Sequence, residues 1–136
     1  MKNKALKISA AVLIAYVCLV VLFESLLGYF QPENASTLEI STRDSSGELS
    51  PRIVARLESD GQLYVAANHW PRAWYSEALE NPEVEVVSAS EQGSYIAVPV
   101  EGTEHERVDD DNALGLAFRF LTGFPPRYFL RLEPAN

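Results

Sequence analysis

The hydrophobic residues divide the chain into one long apolar run near its start and a series of short runs that alternate with polar residues. From Ile8 to Phe23 the sequence ISAAVLIAYVCLVVLF contains no charge, and apolar residues resume after Glu24. An α-helix rises 1.5 Å per residue, so about 20 residues cross a hydrocarbon core of about 30 Å. The segment from Leu6 to Tyr29 is long enough to do this if Glu24 lies near the far interface, where a carboxylate reaches the headgroups.

Two other interpretations of this run compete with a membrane span. A cleaved signal peptide normally has a shorter apolar region, and no pair of small residues with the required spacing follows this one closely. A buried core helix normally has a polar face, and no polar face interrupts this run. We therefore predict an uncleaved transmembrane anchor in residues 1–30, which contacts the lipid bilayer through residues 6–30.

The basic residues around the anchor predict its orientation. Lys2, Lys4 and Lys7 precede the apolar run, whereas the first basic residue after it is Arg43. Short flanks that are rich in lysine and arginine stay in the cytoplasm. The pattern predicts a single-pass membrane protein with a cytoplasmic N-terminus and with its following domain on the outer side, periplasmic or extracellular.

After a polar linker at residues 31–36, the segment of residues 37–136 alternates apolar and polar positions at period two, as half-buried strands do. Asp60-Gly61 stands between two such runs and is a strong hairpin signal. The turn at Asp44-Ser45-Ser46-Gly47 separates the first two runs. The predicted strands cover residues 37–42, 52–58, 63–67, 83–88, 94–100 and 127–133.

One face of each predicted strand is expected to be apolar and to pack inside the domain. In the fourth strand this face carries Val84 and Val86, and in the fifth it carries Ile96, Val98 and Val100. These side chains are therefore candidate core residues.

Two helices are predicted among the strands. The first runs from Arg72 to Glu80 and stops at Asn81-Pro82. The second runs from Thr103, which begins a capping-box pattern, to about Leu121. Six strands that are mostly joined by tight turns suit a closed or split barrel better than a sandwich. The predicted fold is mainly β (α+β): a split β-barrel of about six strands with two helices, preceded by one transmembrane helix.

An apolar cluster ends the longer predicted helix. Phe118, Phe120 and Leu121 lie beside Phe124-Pro125-Pro126 and are flanked by arginines. The sequence is compatible with a core position, a membrane-contacting face or the wall of an acceptor pocket, and it does not rank these three.

The composition excludes several classes of function. The formal net charge is -8, so nucleic acid is not an expected partner. Cys18 is the only cysteine, which excludes an intramolecular disulfide and a cysteine metal cluster. His69 and His105 lack partners at the spacing of a metal site or a catalytic triad, and Asp109-Asp110-Asp111 lacks the glycine and the final glutamate of a calcium loop. We therefore predict no metal site.

Several short motifs occur in a recognisable order along the domain. They are Ser46-Gly47, Asp60-Gly61, Ala73-Trp74-Tyr75, Asn81-Pro82-Glu83-Val84-Glu85-Val86, the AVPV of Ala97 to Val100, Glu104-His105-Glu106-Arg107 and Leu132-Glu133-Pro134. The ordered set, from about Leu38 to Pro134, resembles the deazaflavin-dependent nitroreductase and quinone reductase family. Members of that family share a split β-barrel with FMN-binding proteins of the pyridoxamine-phosphate-oxidase type.

The resemblance implies an oxidoreductase that binds a reduced deazaflavin coenzyme, with FMN as the alternative cofactor, and passes hydride to a quinone or a nitro compound. No catalytic side chain is assigned, because the cofactor itself carries the hydride. The resemblance also implies a candidate homodimer, because split barrels often place the cofactor between subunits.

The resemblance and the local chemistry together give six candidates for cofactor binding. Arg52 follows the Ser-Gly turn about where the family has an arginine that contacts phosphate. Arg72 lies at the start of the short helix, whose free N–H groups favour an anion. Trp74 and Tyr75 more often pack against a barrel than against a ligand, and Trp70 is the better stacking candidate. The full set is Arg52, Asn68, His69, Trp70, Arg72 and Trp74.

The chain departs from the family at two loops that would contact the cofactor. Asn68-His69-Trp70-Pro71 replaces a Gly-Gly loop with a lysine, and Glu48-Leu49 replaces a lysine after the Ser-Gly turn. A carboxylate at Glu48 opposes a phosphate. These departures and the predicted outward orientation support an alternative function, a non-catalytic membrane-tethered barrel that acts as a ligand-binding or scaffold module.

Overall fold

The computed structural model describes residues 2–29, 36–68 and 73–135, which fall into two compact units. The first comprises Met1–Gln31 and Leu114–Pro125, and the second comprises Pro32–Ala113 and Pro126–Asn136. The helices are α1 (Lys2–Tyr29), α2 (Ala73–Glu80), α3 (Gly102–Asp111) and α4 (Leu116–Leu121). The strands are β1 (Thr37–Arg43), β2 (Leu49–Ser59), β3 (Gln62–Ala67), β4 (Glu83–Val87), β5 (Gln92–Pro99) and β6 (Tyr128–Pro134).

The first unit is helical and contains α1 and α4. By length and composition, α1 is able to cross a membrane over Asn3–Leu26, although a signal sequence has the same features. Glu24, near the end of this span, is buried, with 7% of its surface exposed. Membrane anchoring, the orientation and the domain boundary at residue 36 stay predictions.

The second unit is a barrel of six antiparallel strands. The strands close in the order β1-β2-β3-β6-β5-β4, with β4 paired to β1. The hairpin between β2 and β3 turns at Asp60 and Gly61, whose φ angles are 50° and 73°. Consecutive positive φ values match the twist of a two-residue hairpin, and glycine adopts them without strain. The closed order of six strands confirms the predicted mainly β fold, a barrel of about six strands after one long apolar helix.

The barrel interior is one hydrophobic core. Trp74 and Ala78 of α2 belong to it, and α2 joins the end of β3 to the start of β4. We call the barrel end where β3 ends and β4 begins the α2 end. The most deeply buried interior side chains from the strands are Leu38, Ile40, Val65, Val84, Val86, Leu130 and Leu132.

A second core forms where α3 covers the opposite faces of β3 and β6. Tyr64, Phe129 and Val108 are fully buried there. Both faces of the central parts of β3 and β6 are consequently packed.

The single helix predicted from Thr103 to about Leu121 is wrong, because two helices occupy this range. The first begins one residue earlier and has no side-chain cap, and α4 begins after Gly115. The break starts at Asn112, which has a φ of -130° and whose Nδ2 donates to the carbonyl of Glu58 at 3.0 Å. The described residues thus contain four helices rather than the predicted three.

The inward face predicted for β5 is wrong at Ile96 and Val98, whereas Val100 is buried as predicted, although in the second core. Ala97 is 4% exposed inside the barrel, whereas Ile96 is 36% exposed. The register pairs Ala97 with Leu132 of β6, and directly paired residues share a face. Val84 and Val86 do point inward, as predicted.

Candidate functional site

The α2 end of the barrel is closed by the helix itself. Trp74 is 7% exposed and packs in the interior core. On the same helix, Glu77 accepts a hydrogen bond from Oγ1 of the fully buried Thr42 of β1 at 2.5 Å. This bond ties α2 to the barrel wall, because a buried hydroxyl needs a partner. Trp74 is therefore chiefly a core residue, as expected for an aromatic side chain on a short helix.

Asn68, directly after β3, is held by an arginine that the sequence analysis did not single out. The Nε atom of Arg127 donates to Oδ1 of Asn68 at 2.8 Å. The Nη1 atom of the same guanidinium donates to Oδ1 of Asp109 at 2.6 Å and to the carbonyl of Asn112 at 2.9 Å. The amide oxygen of Asn68 already accepts a hydrogen bond from Arg127. The NH2 group, which is the donor of the amide, is therefore the part considered for a ligand.

Phe129 and His105 also hold Arg127 in position. Its guanidinium carbon lies 4.8 Å from the ring centre of Phe129, a cation-π distance. The Nε2 atom of His105 donates to the carbonyl of Arg127 at 2.9 Å, which fixes the proton of a neutral His105 on that nitrogen. These contacts, rather than a sequence motif, orient Asn68. In the sequence, the only sign of this role of Arg127 is its position at the start of a predicted strand.

Arg52 is an exposed cation at the same end of the barrel. It is exposed on β2 opposite Ile40 of β1, and it makes no hydrogen bond or ion pair with any residue in the described ranges. An exposed guanidinium keeps all five donors available to a carboxylate or a phosphate. The predicted role of Arg52 in binding an anion is therefore compatible with its surroundings.

A row of aromatic rings leads from the core to the surface beside Asn68. Trp74 contacts Tyr75 edge to face, with ring centres 6.0 Å apart. Tyr75 stacks on Tyr128 at 5.4 Å and 26°, and Tyr128 is 42% exposed. Stacked rings of this kind form a surface on which a flat ligand can lie. The sequence analysis missed Tyr128, although its Arg-Tyr-Phe context after a proline pair marks the start of a strand.

Three of the six predicted site residues, His69, Trp70 and Arg72, lie outside the described residues. Arg52 and Asn68 lie at the same end of adjacent strands, and Trp74 fills the core below them. The cofactor-binding set therefore stays a prediction.

The opposite end of the barrel holds a cavity of about 290 Å³. Leu63, Tyr95 and Leu132 contribute to its walls, and Arg56 and Glu91 form a paired charge within it. The Nε atom of Arg56 donates to Oε2 of Glu91 at 3.0 Å. The guanidinium lowers the pKa of Glu91 to about 2 through this hydrogen bond, against the opposing effect of burial.

The charge of this cavity does not suit an anion. Arg56 also donates to Glu58 at 2.8 Å, so two carboxylates surround one guanidinium. Its donors are thus engaged, unlike those of Arg52. The anion-binding hypothesis consequently belongs to the α2 end.

A third polar cluster fastens α3 to the barrel wall. The hydroxyl of Tyr64 donates to Oε1 of Glu104 at 2.8 Å, and Nη1 of Arg131 donates to the same oxygen at 2.6 Å. Arg131 lowers the pKa of Glu104, whereas burial raises the pKa of Tyr64. Every charged group here has a protein partner, so this cluster is structural. No group of three or more His, Cys, Asp or Glu side chains suited to a metal ion occurs among the described residues.

Neither protein-family models nor the sequences of characterised proteins match this chain. Among solved structures, a protein described as a domain-swapped dimer has 17% identity over 74% of this chain and 81% of its own, with a TM-score of 0.61. An F420-H2-dependent reductase has 17% identity over 71% of this chain and 94% of its own, with a TM-score of 0.54. HutZ, the heme storage protein from Vibrio cholerae, has 16% identity over 86% of this chain and 88% of its own, with a TM-score of 0.54.

These likenesses define the class of the second unit by its fold. It is a six-stranded barrel of the kind found in an F420-H2-dependent reductase and in a heme storage protein. At 16% and 17% identity the fold alone carries over, because one fold hosts many unrelated functions.

Proposed function

We propose that the protein is a membrane-anchored oxidoreductase that transfers hydride from a reduced deazaflavin coenzyme, or from FMN, to a quinone or a nitro compound. The observation that carries this proposal is Arg52 at the α2 end, which makes no hydrogen bond or ion pair within the described part of the chain, on the same barrel fold as an F420-H2-dependent reductase. F420 is a deazaflavin, and its phosphate needs a cation that is not already neutralised.

The described residues fit an anionic, flat cofactor at the α2 end. Arg52 supplies a guanidinium, and Asn68 supplies an NH2 group that Arg127 orients by holding the amide oxygen. The exposed ring of Tyr128, stacked on Tyr75, supplies an aromatic surface. When bound, the cofactor supplies the hydride. The protein side chains bind its anionic group, orient its ring and leave room for the acceptor.

A homodimer belongs to the proposal, because one of the similar structures is a domain-swapped dimer. Split barrels often place the ligand between two subunits, so that a second copy of the chain completes the site. Light scattering on the full-length protein in detergent, corrected for the micelle, measures the mass directly, and a monomer at all concentrations would remove this part of the proposal.

The alternative is a non-catalytic membrane-tethered barrel that binds a ligand or acts as a scaffold. The observation in its favour is the acidic β1–β2 turn, which carries the carboxylates of Asp44 and Glu48. Oδ1 of Asp44 accepts from the backbone of Ser46 at 2.8 Å and of Glu48 at 3.1 Å, which holds the acidic turn in one shape. A fixed acidic turn disfavours a nearby phosphate.

A binding titration separates the two functions. The full-length protein in detergent micelles is titrated with the deazaflavin coenzyme, FMN and haem, and absorbance and fluorescence report binding. Saturable binding of deazaflavin or FMN, followed by oxidation of the reduced cofactor on addition of a quinone or nitro compound, supports the oxidoreductase. Binding without turnover supports the ligand-binding module, and no binding by folded protein rejects the oxidoreductase. Haem is included because HutZ is described as a heme storage protein.

A further inference from the structure

The α4 segment, residues 116–125, carries apolar side chains that the helical unit leaves uncovered. Leu116 is 72% exposed, Phe120 is 46% exposed and Phe124 is 48% exposed. Exposed large apolar groups that cluster in a short segment mark an interaction surface. The helical unit itself therefore does not supply all the contacts of this segment.

The α4 segment is attached to the second half of α1. The hydroxyl of Tyr16 donates to the carbonyl of Phe120 at 2.9 Å, and the two rings lie 4.9 Å apart. About two turns further along α1, Phe23 contacts Phe118 edge to face with ring centres 6.0 Å apart. The segment thus runs along the apolar helix rather than away from it.

A glycine permits this close approach after the helix ends. A Cβ atom at Gly123 would lie 3.2 Å from Cγ1 of Val20, closer than most such contacts, and the φ of Gly123 is 80°. A larger residue there would displace the segment from α1 and strain the backbone. The fit of the segment against α1 therefore depends on this position.

The carbonyls at the end of α4 are bonded within the unit, although helix ends normally leave them to water. The carbonyl of Phe118 accepts from the N–H of Thr122 at 3.0 Å and from its hydroxyl at 2.9 Å. The carbonyl of Arg119 accepts from the N–H of Phe124 at 2.8 Å. The carbonyl of Phe120 accepts from the N–H of Gly123 at 3.2 Å, in addition to Tyr16. Internal partners for backbone polar groups are what a hydrocarbon surrounding requires.

We propose that the α4 segment is a second membrane-contacting element, which inserts beside α1 into the leaflet crossed by the C-terminal half of that helix. At 1.5 Å per residue, the contacts at Tyr16 and Phe23 lie about 15 and 5 Å from Leu26, the end of the apolar span. Phe120 of α4 lies against Tyr16 of α1, so lipid chains beside the exposed apolar residues of α1 reach those of α4 as well. The inference rests on the proposed membrane anchor.

Arg119 is compatible with this location. Its guanidinium carbon lies 5.7 Å from the ring centre of Phe124, and its side chain is exposed. A long arginine side chain keeps its charge at the headgroups while its methylene groups lie among acyl chains. The segment therefore places one cation where anionic lipids are available.

Thiol accessibility in lipid vesicles tests the inference on the full-length protein. In a Cys18→Ser background, Ala117→Cys reports on α4, and Ala89→Cys in an exposed barrel loop is the matched control. A bulky, membrane-impermeant maleimide is present on both sides of phosphatidylcholine and phosphatidylglycerol vesicles. We expect the α4 thiol to react at least about tenfold more slowly than the control thiol, because lipid excludes the reagent. In denaturing detergent the two rates should become equal.

The same labelling on the protein without substitutions reports on Cys18, which is exposed on α1. Its reactivity shows whether the anchor is in lipid, independently of α4. If Cys18 is protected in vesicles and the α4 thiol reacts as fast as the control, the anchor stands and the α4 inference is wrong. If both react rapidly, the anchor is wrong and the inference falls with it. A fluorophore attached at residue 117 gives a second measurement, since lipids brominated near the middle of the acyl chain should quench it only if α4 is inserted.

Discussion

Two arginines on one face of β2 differ in charge compensation. Arg56 points to the cavity and donates to both Glu91 and Glu58, whereas Arg52, four residues earlier, has no such partner among the described residues. Strand alternation places both on the same face, but it does not reveal which one finds a carboxylate. The sequence nevertheless favoured Arg52 over Arg56 as a ligand residue, and the pairing of Arg56 agrees with that preference.

Removal of the Arg52 guanidinium should weaken cofactor binding. Arg52→Ala is expected to raise the Kd for the deazaflavin coenzyme by about tenfold or more, because a charge-assisted hydrogen bond contributes about 1.5 to 3 kcal/mol. Fluorescence titration in detergent measures the change. Arg43→Ala is the control, since Arg43 is exposed on the neighbouring strand and donates to the carbonyl of Gly47. Equal affinities for the Arg52→Ala variant and the unmodified protein would reject this site.

The pair of Glu91 and Arg56 should make barrel stability depend on acid. The pKa of Glu91 is lowered from 4.5 to about 2 in the folded protein, mainly by the hydrogen bond from Arg56. A depressed pKa contributes stability above the unfolded value, and this contribution is lost as the pH falls from about 4.5 to about 2. We expect the free energy of unfolding to fall by about 1 kcal/mol across this window, measured by urea denaturation, because solvent screens an ion pair at the barrel surface.

Substitution of the same carboxylate isolates its share of the acid dependence. Glu91→Gln should lower the free energy of unfolding at neutral pH and flatten its decline between pH 4.5 and 2, because the titrating group is gone. Glu80→Gln, at an exposed position of α2, is the matched control and should leave the profile unchanged. A profile for Glu91→Gln as steep as that of the unmodified protein would show that other carboxylates cause the acid sensitivity.

At the scale of the elements, the strands could be predicted and some of their environments could not. The β2–β3 hairpin followed from Asp60-Gly61 between two alternating runs, because those residues favour the required φ values. The inward face of β5 did not follow, since Tyr95, Ile96 and Ala97 are all apolar. Its register is set by pairing with β6, which is distant in sequence. A local sequence pattern shows which residues favour a turn. It does not show which strand pairs with which, or in what register.

The break between α3 and α4 has a similar long-range cause. Asn112 donates to the carbonyl of Glu58 on the β2–β3 hairpin, a contact that no local pattern reveals. Likewise, Arg127 reaches Asn68 across 59 positions of sequence. Arg52 and Asn68 follow from local motifs, and as site residues they stay predictions. The partner that orients Asn68 could not be predicted in this way.

The closure of one barrel end by α2 should depend on Trp74. Trp74→Ala is expected to lower the free energy of unfolding by about 3 to 5 kcal/mol, because a large buried aromatic side chain leaves a cavity. Leu79→Ala, at a 44% exposed position of the same helix, should cost about 0.5 kcal/mol or less. Urea denaturation followed by near-ultraviolet circular dichroism measures both. Similar small losses would place Trp74 outside the core and restore it as a ligand-stacking candidate.

At the scale of the whole molecule, the proposed anchor makes the side of the membrane on which the barrel lies decisive, because a cofactor reduced in the cytoplasm reaches the barrel only from that side. Lys2, Lys4 and Lys7 predict a cytoplasmic N-terminus and an outward barrel, because short basic flanks are retained inside. Reduced deazaflavin is expected to be supplied in the cytoplasm, so the predicted orientation favours the ligand-binding or scaffold function over the reductase. The topology therefore discriminates between the two proposals.

Labelling of intact cells measures this topology. With Cys18→Ser and Ala89→Cys, an impermeant maleimide added outside should label the barrel. Replacement of the three N-terminal lysines by glutamate should reduce that labelling, because the charge bias that holds the N-terminus inside is lost. Exchange of the same lysines for arginine is the control and should leave it unchanged. If the barrel of the unsubstituted N-terminus is instead labelled only after cell lysis, the positive-inside prediction is wrong for this chain. The barrel then shares a compartment with reduced deazaflavin, and the main physical objection to hydride transfer is removed.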